Sequence, residues 1–123
     1  MFELKLNDKT IQLKWGTWAM YKYCEKYNIQ LDQFFEILSN TKYNLSIVVD
    51  FFYIGYTSAC MLNKSEIKFD ETDACEWIDE VGGLFATDGQ IVDYFNYILK
   101  NTQVLISGVK KDEKKKPNKA KLG

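Results

Sequence analysis

The sequence predicts an α+β fold, predominantly α, in which an N-terminal β-hairpin packs on a bundle of about five helices. Three observations predict it. Strict apolar–polar alternation is confined to the first fifteen residues. From Thr17 onward, apolar residues recur at three- and four-residue spacing. Capping and turn residues punctuate those stretches, and the single proline, Pro117, stands almost at the end, where it interrupts none of them.

Phe2-Glu3-Leu4-Lys5-Leu6 alternates, Asn7-Asp8-Lys9 is a turn, and Thr10-Ile11-Gln12-Leu13-Lys14-Trp15 alternates again. The pattern predicts a hairpin over 2–15 with Phe2, Leu4, Leu6, Ile11, Leu13 and Trp15 on its buried face. A lone hairpin is marginal in water, so this one needs a partner layer. Gly16 breaks the strand, and Thr17 is the expected N-cap of a helix over about 17–28. Its apolar stripe is Met20, Cys24 and Tyr27, joined by Trp18 and Tyr21, and Asn28 closes it. A second helix over 31–39 shows Leu31, Phe34, Phe35 and Leu38 on one side, with Asp32, Gln33 and Glu36 opposite.

The stretch 45–63 is apolar around nearly its whole circumference, which predicts a helix at the centre of the bundle. Asp50, Gly55, Thr57 and Ser58 inside it favour a buried helix over a membrane span. Gly55, Ser58 and Ala59 are small enough to admit a close neighbour. Asp70 is the expected N-cap of a helix over 71–81, with Glu71 and Asp73 in the dipole-favoured first turn and Ala74, Trp77, Ile78 and Val81 as its core stripe. Gly82-Gly83 ends it. Thr87 or Asp88 is expected to cap a last helix over 88–107 whose core face is Ile91, Phe95, Ile98, Thr102 and Leu105, with Val92, Leu99 and Ile106 beside it. Residues 1–107 thus form one expected domain. Residues 108–123 are an expected disordered basic tail, too poor in apolar side chains to offset its ordering entropy.

The tail also explains the near-neutral net charge of −1. Residues 1–109 hold nine lysines against fifteen acids, a balance of −6; residues 110–123 hold seven against two, a balance of +5. The chain has no histidine and no arginine, so every basic residue is a lysine. That excludes a Ser-His-Asp or Cys-His centre built from this chain alone, any metal site that needs imidazole, and bidentate guanidinium recognition of phosphates. Cys24, Cys60 and Cys75 are odd in number and widely spaced, as for reduced thiols in the cytoplasm, and the first residues have no signal-peptide pattern.

No motif for chemistry survives inspection. Gly82-Gly83 lacks phosphate-loop spacing. Asp70-Glu71-Thr72-Asp73 is followed by Ala74 and Cys75, where a calcium loop needs an oxygen ligand and a glycine, so capping explains it better. Asp73/Glu76 and Asp79/Glu80 read as a solvated helix face. The expected chain is therefore no enzyme and takes no cofactor. Asp50, a lone acid in an apolar helix, must cap a neighbour, pair with a lysine or face a cleft. Eight tyrosines exceed what one core accommodates, and tyrosine is typical of interfaces. Tyr53, Tyr56, Tyr94 and Tyr97, with Asp50, are the candidate partner-binding residues. Lys114, Lys115 and Lys116 are the candidates in the tail, where binding to nucleic acid by a small regulatory protein is the alternative function; the acidic body argues against it.

The order of features resembles the tail assembly chaperones of long-tailed bacteriophages. The residues that carry the resemblance are Trp15-Gly16-Thr17-Trp18-Ala19-Met20-Tyr21-Lys22-Tyr23 after the hairpin, the short helix Leu31-Asp32-Gln33-Phe34-Phe35-Glu36-Ile37-Leu38, Tyr53-Ile54-Gly55-Tyr56 in the long apolar helix, and the acidic helix from Phe69 to Ile78. The resemblance covers residues 1–107 and implies a small cytoplasmic protein of the host cell. It implies binding to the tape-measure protein and recruitment of tail-tube subunits, with no catalytic residues. Lys114–Lys116 fits an A-rich slippery run, near which such genes shift frame to a longer product. Pairing at the hairpin's sheet edge would let copies self-associate.

Overall fold

The computed structural model describes residues 1–39 and 45–107; the expected tail, with Lys114, Lys115 and Lys116, lies outside the described residues. In chain order come β1 (Phe2–Lys5), β2 (Thr10–Leu13), α1 (Thr17–Tyr27), α2 (Leu31–Ser39), α3 (Leu45–Asn63), α4 (Glu71–Glu80) and α5 (Gln90–Ser107). The fold is α+β and mainly α: a two-stranded antiparallel hairpin with five helices.

The strands pair with Phe2 opposite Leu13 and Lys5 opposite Thr10. Period-two alternation sends Leu4, Ile11 and Leu13 into the core, while Glu3, Lys5 and Gln12 face outward. The ladder stops at Leu13 because the Lys14 N–H donates to the Gly55 carbonyl of α3 at 2.9 Å. The hairpin is thereby bonded to the central helix as well as packed on it.

The core draws on both strands and all five helices. Its centre is aromatic. Trp15 meets Phe51 edge-on at 5.7 Å between centroids, and Tyr23 meets Phe34 edge-on at 5.0 Å, geometries that align ring edges with ring faces. The Trp15 indole N–H donates to the Met20 sulfur at 3.1 Å. α3 buries residues from Ile47 through Cys60 on nearly all sides, as its pattern predicts. It is long and apolar enough to cross a membrane by length and composition, and most of that stretch is buried inside the fold.

Most element ends fall where predicted. Asn28 sits in the left-handed region (φ 52°, ψ 51°) and closes α1. Asp70 accepts from the Asp73 N–H at 3.0 Å, and Asp73 accepts from the Asp70 N–H at 2.9 Å, a reciprocal capping box. Three expectations need correction. Gly16, not Thr17, stands at the N-cap of α1, because Tyr97 and Asn101 hold the Trp15 backbone and the helix starts directly after the following glycine. α5 begins at Gln90 rather than 88. The chain turns at Gly89 with φ +80°, which glycine adopts freely, and the Gly89 carbonyl accepts the Asp93 N–H. In α1 the fully buried pair is Ala19 and Tyr23, while Cys24 and Tyr27 are half-buried and Tyr21 is exposed.

Candidate binding surface

The predicted site residues do not converge on one surface. Asp50 is buried, and its carboxylate takes two partners from α1: Lys26 Nζ at 2.8 Å from Oδ2 and the Tyr27 hydroxyl. Lys26 also reaches Glu71 at the start of α4, 3.6 Å away. The group is a tie between α1, α3 and α4. Of the three roles open to Asp50, pairing with a lysine is the one observed. The hydrogen bond and charge of Asp50 raise the Lys26 pKa against a smaller opposing effect of desolvation. Desolvation, then the bond to Asp50, pushes the Tyr27 hydroxyl far above its ordinary value.

Two of the four candidate tyrosines are structural. Tyr94 is fully buried, and its hydroxyl donates to the Phe51 carbonyl at 2.6 Å. It fits because residue 55 is glycine: a Cβ there would lie 2.0 Å from the Tyr94 oxygen. Burial drives the Tyr94 pKa well above 10.0. Tyr56 is also buried, and its oxygen accepts the N–H groups of Lys68 and Phe69 at 2.8 and 3.2 Å, fastening the connector between α3 and α4. Neither ring is on the surface, contrary to expectation. The physical reason is the same twice: a buried phenol is tolerated where backbone groups satisfy its oxygen. Tyr97 is half-buried; its oxygen accepts the Trp15 N–H at 3.3 Å and its ring stacks on Tyr94. Tyr53 is half-buried beside Tyr56, its pKa raised by desolvation and then by Glu71 and Asp70.

Besides a polar cleft of about 430 Å³ against Gln12, Tyr56 and Lys68, there is an apolar surface that the sequence did not single out. A cleft of about 510 Å³ opens on the outer side of α1, where the chain turns into α2. Thr17, Met20, Tyr21, Cys24, Glu25, Ile29 and Leu31 line it. The α1 members recur at helical spacing, so they form one stripe. The left-handed turn at Asn28, with the Ile29 N–H on the Cys24 carbonyl at 3.1 Å, swings Ile29 and Leu31 around to form the far wall. Tyr21 and Leu31 are 55% and 41% exposed, so the rim is apolar and wet. Burial pushes the Cys24 thiol pKa up, which disfavours the reactive thiolate and leaves it a small apolar wall. Phe85 is a second exposed aromatic, 93% accessible in the loop after α4.

Among the described residues, no three His, Cys, Asp or Glu side chains gather as a metal-ligand set. The chain matches no protein-family description, and no curated protein or solved structure is significantly similar to it.

Proposed function

We propose that the chain is a non-enzymatic tail assembly chaperone that binds the tape-measure protein and helps recruit tail-tube subunits. The observation that carries the proposal is the apolar cleft between α1 and α2. Apart from Thr17 and Glu25 its walls are aliphatic, aromatic and sulfur-bearing, and its volume falls within the roughly 300–1,000 Å³ of ligand clefts. Met20 supplies a polarisable floor, its sulfur held by the Trp15 indole N–H. A tape-measure protein is long and helical and exposes apolar stripes until the tube closes around it. Such a stripe would lay anchors at i, i+3 and i+4 into the cleft, in the helix-in-groove mode. Many weak copies along one chain would hold it by avidity.

In this reading Asp50 is not one of the contacts to the partner. The most conspicuous acid in the sequence is consumed by Lys26 and Tyr27 as a structural tie. Where a tape-measure protein is encoded beside this chain, co-expression of the two should raise that protein's soluble fraction and co-purify the pair. Unchanged solubility with no co-purification would remove the proposal.

A further inference from the structure

A two-stranded sheet has an outer edge on β1, and an open strand edge is a template for pairing with another chain. Here the edge is occupied at Lys5 by a side chain. The Lys5 N–H donates to Gln90 Oε1 at 2.7 Å, and Gln90 Nε2 donates back to the Lys5 carbonyl at 2.9 Å. One side-chain amide thus supplies the acceptor and the donor that a residue of a third antiparallel strand would supply. Gln90 is the first residue of α5. The left-handed turn at Gly89 lets the chain reach the strand edge and start the helix at once.

The residues on that edge say what would pair with it. Glu3 and Lys5 flank Leu4 and are both exposed. Antiparallel pairing with a second β1, about a twofold axis at Leu4, sets each Glu3 opposite the Lys5 of the other copy. Both cross-strand pairs are then of opposite charge, and the interface is self-complementary, as a twofold contact requires. We infer that the outer edge of β1 is a strand-pairing surface for a second copy of this chain, and that the Gln90 amide is the latch that keeps it closed in the single chain.

Sedimentation velocity over a concentration series tests this, with circular dichroism to verify folding. Gln90→Ala is expected to self-associate at least tenfold more tightly than the unsubstituted chain. Adding Glu3→Lys, which sets like charges opposite one another, should return it to the unsubstituted behaviour. Gln90→Glu keeps the acceptor for the Lys5 N–H but loses the donor to its carbonyl, and should fall between the two; it carries the test if the alanine variant does not fold. Self-association no tighter than in the unsubstituted chain, or a dimer indifferent to Glu3→Lys, overturns the inference.

Discussion

Two faces of the molecule hold tyrosines under opposite conditions. On the inner face of α3 and α5, Tyr94 and Tyr56 are buried with their hydroxyls bonded to backbone groups. On the outer face of α1, Tyr21 is more than half exposed, and its hydroxyl donates to Glu25 across a long 3.4 Å. The same residue type is a strut in one place and a rim in the other. The difference lies in what the neighbouring element offers. Gly55 leaves a notch and the Phe51 carbonyl an acceptor, so a phenol can be drawn into the core at small cost. Tyr21 instead has the exposed charges of Lys22 over its ring at 5.0 Å and of Glu25 at its hydroxyl. Aromatic abundance therefore overstates the available surface, and the proposed binding face is the one where rings and aliphatics are left without such ties.

The inner face should break first. In Gly55→Ala, better helix propensity contributes about 1 kcal/mol. Against it, a Cβ 2.0 Å from the Tyr94 oxygen forces that ring out of place. Overpacking of about 1–3 kcal/mol adds to the lost Tyr94–Phe51 bond and the displaced ring. The expected net loss is roughly 2–4 kcal/mol, seen as a drop in Tm on the order of 10–25 °C at about 4–8 °C per kcal/mol. An unchanged Tm would show that the notch is not a constraint.

Asp50→Ala should cost less, about 1–3 kcal/mol, because Lys26 is half exposed and can hydrate when its partner is removed. Tyr94→Phe isolates the hydroxyl and should cost about 1–2 kcal/mol by denaturant unfolding. Alkali sharpens the same comparison. The pKa values of Tyr27, Tyr53, Tyr56 and Tyr94 are all raised in the fold. A group with a raised folded-state pKa keeps its stabilising effect below its unfolded value and loses it as pH climbs through the folded one. Stability should therefore hold up to about pH 10 and then fall, with the raised Lys26 acting in the same direction. Phenolate absorbance should rise together with unfolding.

The smallest effect belongs to the outer face. Tyr21→Ser with Leu31→Ser should change stability by about 0.5 kcal/mol or less, since both side chains are exposed. A large loss would mean that the rim is structural, and the contrast between the faces would disappear.

How much of this was legible in the sequence depends on how local its cause is. The hairpin follows from alternation in Phe2–Lys5 and Thr10–Leu13, the capping box from Asp70 and Asp73, and the end of α1 from Asn28. Each is decided within a few residues. The role of Tyr94 is not. Tyr94 and Phe95 both follow Ile91 at core spacing, and polarity favours Phe95; the structure buries Tyr94 more deeply because of Gly55 and Phe51, about forty residues away in sequence. Within α3 periodicity could not rank residues, because the helix is apolar all round, so Tyr56 carried no mark of its bonds to the connector. The cleft was missed because Met20 and Cys24 fit a core stripe equally well. Only the angle set at Asn28 shows that they also line an opening.

The central claim is that the α1–α2 cleft receives a partner helix. The most direct test is a two-dimensional amide NMR titration of the chain with helical segments of a tape-measure protein, the proposed partner. Shifts concentrated at Thr17–Leu31, and abolished by Tyr21→Ser with Leu31→Ser in a variant of unchanged stability, are the predicted result. Shifts that avoid this stretch and gather at the hairpin or around Phe85 would contradict it.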